Sequence, residues 1–537
     1  MPKANGKPRY IFIVGGVVSG LGKGVVTASI GMLLKSCGYK VNMIKIDPYL
    51  NIDAGTMRPA EHGETFVTED GGEIDQDLGN YERFLNQNFG KENNITTGKV
   101  FKTIIERERS FGYGGRDVSM IPDVPNEVKR RFYEAETGFD FVIVEVGGTT
   151  GDIENLPFLY AAREVGRERQ AMYVVAAYIP FLRNVGELKT KPAQHAVSQL
   201  RSTGINPDIL ITRSEVPLDD PRRETLAKRC FLDNESIIDD PDLESIYDVP
   251  LKLESQAVTE KILRHFGLRK SPKLNAWKKF VQGVKKPTKS IKVALVGKYV
   301  KHGESLHKDV YVSVLEALRH AGSKLKVNID VVAIDANDLN AKELVKGGFA
   351  GLIVPQGWGS RGVEGKVAAV KWARENKIPY LGLCFGMQMA VIEYARHVVK
   401  LSGANTSEAD AKTKHPVIHI MPDQQKYLDA HQYGGTIRLG AWPCNLKAKS
   451  LLSDIYGMEK VSERHRHRYE VNNKYKEVLQ NKGLVFSGVS PDGELVEAIE
   501  LPRSVHPFFV GTQFHPEYKS RPLVPHPIFI SFIKACI

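Results

Sequence analysis

Long apolar runs are absent from this chain. Nowhere in its 537 residues do about 18 apolar side chains follow one another, so no membrane span is expected. Cysteine is scarce: Cys37, Cys230, Cys384, Cys444 and Cys536 lie scattered, without the paired spacing of a metal site. Residues 1–8 lack the apolar core of a signal peptide. An odd cysteine count without such a signal fits reduced thiols, and a cytoplasmic location is expected. No internal repeat is visible. Beyond a basic linker at 268–289, the net charge of +11 is not gathered into one arm or stripe. No nucleic-acid partner is therefore expected, and polyanionic small substrates account for the bias equally well. Hydrophobic and charged contents of 42% and 26% are ordinary, and leave room for sizeable cores. The length allows roughly two to four domains.

What is present is most informative near the start. The β-branched run 11–14 empties into Gly15-Gly16-Val17-Val18-Ser19-Gly20-Leu21-Gly22-Lys23-Gly24, and the apolar spacing of 25–34 is helical. This reads as a strand, a tight loop and a helix N-terminus. Glycines let backbone N–H groups close around an anion; the helix end adds partial positive charge and Lys23 a full one, so a triphosphate cradle is expected. The first glycine sits one residue further back than in the strict phosphate-loop spacing, and Gly24 stands where serine or threonine is usual.

From about 9 to 265, short β-branched runs alternate with helix-like segments. Strands expected at 10–14, 40–46, 141–146, 171–177 and 209–212 point to a parallel sheet flanked by helices. The pattern breaks at 267–289. There Leu268-Arg269-Lys270-Ser271-Pro272-Lys273 and Lys285-Lys286-Pro287-Thr288-Lys289 read as a solvated basic connector. Ile291-Lys292-Val293-Ala294-Leu295-Val296-Gly297-Lys298 then opens a second α/β unit, with strands at 327–334, 351–354, 380–383 and 508–513. The fold class is thus α/β, with parallel-sheet domains at 1–267 and 290–537 joined by a linker at 268–289. Residues 400–436 read as a long irregular insertion.

The second half carries a nucleophile. Gly382-Leu383-Cys384-Phe385-Gly386-Met387-Gln388 follows an apolar strand and precedes a helix-like run. Glycines on both sides permit a strained turn that presents a thiol at a helix N-terminus, a position that favours thiolate. In Thr512-Gln513-Phe514-His515-Pro516-Glu517, His515 and Glu517 are two apart and share one face of an extended segment. Glu517 would then orient His515, which activates Cys384. Pro355-Gln356-Gly357-Trp358-Gly359, after another strand, offers N–H donors for an oxyanion.

Together these motifs resemble CTP synthases, the glutamine-dependent amidoligases that convert UTP to CTP, over essentially the whole chain from about 10 to 532. The second half alone resembles a class I glutamine amidotransferase, and the first half alone carries the amidoligase phosphate loop. The resemblance implies a glutamine-hydrolysing ligase of pyrimidine biosynthesis that binds UTP, ATP and glutamine, uses Mg²⁺ with ATP, forms a homotetramer and is inhibited by its product CTP. It implies ATP contacts at Gly20, Leu21, Gly22, Lys23, Gly24, Val25, Asp77, Pro241, Asp242 and Leu243. Lys45 ends the second strand, where open α/β sheets place ligand groups, and the resemblance has it neutralise phosphates with Lys23. The acidic stretch 69–77 and Glu145 offer hard oxygen ligands on two elements, which suits Mg²⁺ beside a triphosphate, although an acidic run also serves as a solvated surface. The resemblance assigns the metal to Asp77 and Glu145. It places UTP and CTP at Ser19, Asp152, Ile153, Glu154, Lys189, Thr190, Lys191, Pro192, Ala193, Gln194 and Thr225. It places glutamine at Gly357, Phe385, Gly386, Met387, Gln388, Glu408 and Arg468, and makes His62 the gate of an internal ammonia passage.

In such an enzyme ATP phosphorylates the UTP 4-oxygen, a poor leaving group, and ammonia then displaces phosphate at C4. Ammonia arises from glutamine through a thioester at Cys384. Free ammonia is largely ammonium near neutral pH and not nucleophilic, which is the physical case for fusing the two halves. Some residues depart from the family pattern. Asp123 stands where a histidine is usual, and 111–117 also differs; both regions are linked to activation by GTP, so normal GTP activation is not expected, although Arg109 matches. Gln356 replaces a glycine and would be strained if that position needed positive φ. Thr225 replaces a nucleotide-contacting lysine, for which Arg223 or Lys228 could stand in, and Pro241 replaces a lysine near the adenine. Two other readings stay open: a different ATP-dependent glutamine amidoligase, such as those acting on corrinoid carboxylates, and a regulatory or filament-forming paralogue.

Overall fold

Seven runs of β-branched and apolar residues form one fully parallel sheet in the first half of the chain. Its order is Ile237–Pro241, Ile209–Ser214, Ala171–Tyr178, Arg9–Gly15, Phe141–Val146, Val41–Asp47, Asn94–Thr96. The central strands are buried on both faces, which is why they read as continuous apolar runs rather than alternating ones. The computed structural model describes residues 7–16, 20, 22–298, 301–302, 305–306, 308–339, 341–421, 424–430, 432 and 434–537. Ser19 and Leu21, expected to touch nucleotide, lie outside the described residues.

A nine-stranded sheet forms in the second half. Val327–Asp335, Lys289–Gly297, Gly351–Val354, Tyr380–Leu383 and Phe509–Thr512 pair in parallel, and four antiparallel strands continue it. Both domains are thus α/β with parallel strands at the centre. Among the described residues no helix is long and apolar enough to cross a membrane.

By contacts the chain divides into two compact units, Met1–Asp53 with Asp77–Lys278, and Ala54–Gln76 with Lys279–Ile537. The expected linker is partly a helix, Asn275–Lys285, with Trp277, Phe280 and Val281 buried. Its lysines hide an apolar stripe at helical spacing. The stretch 400–436 is likewise more ordered than read. Pro416–Ile420 pairs with Asn405–Thr406 and Tyr469–Val471, and Gln425–Asp429 is helical. These elements are too short, and too broken by polar residues, to give a periodic signal.

Candidate active sites

Cys384 sits between the strand Tyr380–Leu383 and the helix Phe385–Tyr394, with φ 52° and ψ −102°. A non-glycine residue holds that conformation only when its surroundings enforce it. Here the Cys384 N–H donates to the Thr512 carbonyl at 2.6 Å. The turn also needs its glycine, since a Cβ at Gly386 would run into the Val354 carbonyl oxygen. Phe509–Thr512 lies beside Tyr380–Leu383 in the sheet and delivers the residues after it to Cys384. Gln513 Nε2 reaches the Cys384 sulfur at 3.5 Å, and His515 Nδ1 pairs with Glu517 Oε1 at 2.7 Å. His515 and Glu517 are both buried. Burial works against a charged His515, but the charges of Glu517 and Cys384 prevail and hold its pKa up to about 10.

A cavity of about 10 Å³ is lined by Cys384 together with Gly357, Phe385, Gln388, Glu408 and Arg468, five of the residues expected to hold glutamine. Gly386 and Met387 belong to the helix turn beneath it. Burial pushes the Glu408 carboxyl up against the pull of the Gly359 N–H and Lys298. Trp358, from the segment read as an oxyanion site, completes the lining with His467 and Tyr469, which had no expected role at glutamine. His467 lies on Lys460–His467, whose dense charge masked a strand. Gly357 and Trp358 also border a second cavity of about 30 Å³, with Glu64, Gln356, Arg466 and Tyr518. Gln356 is not among the residues with positive φ, so the feared strain is absent; its side-chain amide donates to Glu64 at 3.2 Å. His62 ends the short helix Pro59–His62, 3.6 Å from Asp75.

In the other unit, Gly20 and Gly22 take φ near 75° and lead into the helix Lys23–Ser36. Lys23 donates to the Gly148 carbonyl, and Thr150 N–H to Gly15, so the turn after Phe141–Val146 docks on the phosphate loop. Burial lowers the Lys23 pKa, with Glu145 opposing. Lys45 meets Asp77 and, at 3.1 Å, Glu145, whose other oxygen accepts from Tyr81. Burial raises the Glu145 carboxyl against the pull of Lys45. A Cβ at Gly24 would overlap the Asp77 carboxylate, so any larger residue there would have to displace that side chain. Asp77 and Glu145, two hard oxygen donors brought together at Lys45, fit a divalent cation such as Mg²⁺. Among the described residues no three His, Cys, Asp or Glu side chains form a metal cage of their own.

The remaining expected contacts are spread over several turns. Asp152 accepts from Thr149 N–H at 2.6 Å, while Ile153 is exposed. Lys189 pairs with Glu187, which also holds Arg222 at 2.9 Å on the helix that bears Thr225. Gln194 donates to Thr190 at 2.9 Å. Arg223 is turned onto the Ile237 carbonyl and Lys228 pairs with Glu224 at 3.5 Å, so neither side chain is unengaged in place of the missing lysine. Arg213 was not foreseen: it donates to the carbonyls of Asp240 and Pro241 and to Asp242, fixing the segment expected at the adenine. Asp123 accepts from the Arg116 guanidinium and the Ser119 N–H, which hold its carboxyl below the ordinary range. Arg116 also stacks on Tyr113 at 4.9 Å, so Asp123 and two residues of the 111–117 stretch form one cluster.

The family described as CTP synthase N-terminus matches residues 9–268, and the glutamine amidotransferase class-I family matches 306–535. CTP synthases of Caldanaerobacter subterraneus and Methanocaldococcus jannaschii are 52% and 50% identical, each over 98% of this chain and 98% of the relative. The glutaminase domain of Trypanosoma brucei CTPS with bound acivicin is 40% identical over 46% of this chain and 93% of that one, with a TM-score of 0.42. The chain therefore belongs to the CTP synthase family, glutamine-hydrolysing ligases of pyrimidine biosynthesis.

Proposed function

We propose that this chain makes CTP from UTP, ATP and glutamine in two coupled half-reactions. Cys384 attacks the glutamine side-chain carbonyl; the C–N bond breaks, and His515, oriented by Glu517, gives the departing ammonia its proton. Water then cleaves the thioester with His515 as base, releasing glutamate. ATP transfers its γ-phosphoryl group to the UTP 4-oxygen while Lys23 and Lys45 neutralise charge, and ammonia passed internally past His62 displaces phosphate at C4. Mg²⁺ bound by Asp77 and Glu145 would screen the triphosphate charge. Product CTP competes at the UTP triphosphate, and the active form is a homotetramer in the cytoplasm, where the thiols stay reduced.

The observation that carries this reading is the meeting of Cys384 with Gly357, Phe385, Gln388, Glu408 and Arg468 around one small cavity. CTP formation is measured with glutamine or an ammonium salt, with and without GTP. Cys384→Ala is expected to abolish glutamine-dependent synthesis and spare ammonia-dependent synthesis. Equal loss of both would sink the two-site mechanism. No turnover by the unaltered chain from either nitrogen source would favour a different substrate or a regulatory role.

A further inference from the structure

Two lysines lie buried beside the nucleophile, and the mechanism above gives them no task. Lys298 follows the strand Lys289–Gly297, and Lys366 lies in the helix Val363–Glu375. They are 1% and 0% exposed, and among the described residues the only carboxylates acting on them do so through space, Glu408 on Lys298 and Asp335 on Lys366. Burying two lysines side by side is costly, so their retention calls for a reason. Both reach the same loop. Lys366 Nζ donates to the Pro355 carbonyl at 3.0 Å, and Lys298 Nζ to the carbonyls of Trp358 and, at 2.6 Å, Gly359. Between these anchored carbonyls stands Gly357, whose N–H makes no hydrogen bond among the described residues. The lysines press on it directly: a Cβ at Gly357 would sit 3.2 Å from Lys298 Cε and 3.4 Å from Lys366 Nζ. Both ammonium groups also stand over the ring of Phe385, the residue after the nucleophile, at 4.0 and 5.0 Å from its centroid.

We propose that Lys298 and Lys366 are positioning residues for glutamine cleavage: gripping the carbonyls on either side of Gly357, they fix its N–H to receive the oxygen that becomes negative when Cys384 attacks. The inference rests on Cys384 being the nucleophile. Charge placed where negative charge will develop, and fixed in advance, is the usual source of oxyanion stabilisation. Burial pushes the Lys366 pKa well down and Lys298 adds to this, while negative charge at Cys384 opposes them. Charged or neutral, the Lys366 nitrogen still donates to the Pro355 carbonyl.

Lys298→Met and Lys366→Met in the full chain test this. Glutaminase kcat is expected to fall about 10²-fold, the effect of losing one oxyanion donor, with KM for glutamine within about threefold. Ammonia-dependent CTP synthesis stays at the unaltered rate. Alkylation of Cys384 by iodoacetamide, which needs no oxyanion donor, also stays unchanged. A kcat within about threefold of the unaltered chain overturns the proposal. So does a KM that rises as kcat holds, or an alkylation rate that falls in step with kcat. Lys298→Gln keeps a donor without the charge; a roughly tenfold loss of kcat is expected, and it decides the matter should the methionine variants not fold. Cys384→Ala is run alongside. If that variant still cleaves glutamine the nucleophile reading fails; if it does not, and the lysine variants cleave normally, only the present inference fails.

Discussion

In the proposed mechanism His515 carries a proton into the reaction. A pKa held up to about 10 favours the imidazolium, the form that the proposed mechanism needs to protonate departing ammonia before His515 serves as a base. Glu517, paired at 2.7 Å and buried with it, is the first of the groups that favour that charge. Glu517→Gln is therefore expected to lower glutaminase kcat about 10²-fold while ammonia-dependent synthesis holds. The same pair sets a stability trend. A histidine whose folded pKa is raised from 6.5 binds a proton the unfolded chain has released, so its contribution is full below about pH 6.5 and is lost as pH climbs through about 10. Thermal midpoints should fall across that window in the unaltered chain and flatten in Glu517→Gln; equal slopes would refute the linkage. At this scale the sequence was informative where chemistry depends on near neighbours, as in Cys384 on its elbow and the His515, Glu517 pair. It was silent on Lys298 and Lys366, because a lysine at a strand end or in a helix reads as surface until the fold buries it.

The strands Thr65–Val67 and Glu73–Asp75 form a hairpin that contacts, not chain order, assign to the glutaminase unit. Sequence reading leaves it with the first half, since nothing in residues 54–76 announces a partner some 390 positions away. Three polar anchors account for its placement. Arg464, fully buried, donates to Glu69 at 3.0 Å and to the Val67 carbonyl at 2.9 Å. Arg466 pairs with Glu73 at 2.9 Å, and the Tyr518 hydroxyl donates to the Thr65 carbonyl at 3.1 Å. Both arginines come from the strand Lys460–His467, whose alternation of charged and histidine side chains gave no strand signal because its inward residues are polar. The same hairpin region supplies Glu64, which joins Ser313 and Gln356 beside the oxyanion loop. Arg464→Met removes a buried charge and strands the Val67 carbonyl, at a cost of about 3 kcal/mol. The thermal midpoint of glutaminase inactivation should fall by roughly 5–10 °C. A midpoint within a degree of the unaltered value would show that the hairpin is held by packing alone.

Over the whole molecule, 74 lysines and arginines face 63 aspartates and glutamates, an excess of +11. No single stripe collects it, and many of these residues are spent on one another, as at Arg130 with Glu127 and Glu134. What remains is a diffuse positive field, which acts on a ligand according to the ligand's own charge. Two of the three substrates proposed here are nucleoside triphosphates and the third, glutamine, is neutral overall. Field and substrate charge together make a differential prediction that no single contact makes. Salt shortens the Debye length to about 10 Å at 0.1 M and about 3 Å at 1 M, so the long-range part of nucleotide capture fades while short buried contacts persist. KM for UTP and for ATP should rise by about threefold or more between roughly 0.02 and 0.3 M KCl, at constant free Mg²⁺, whereas KM for glutamine should move by less than about twofold. Parallel shifts in all three would mean that salt acts on the fold or on assembly rather than on substrate charge, and the excess of basic residues would then need another explanation.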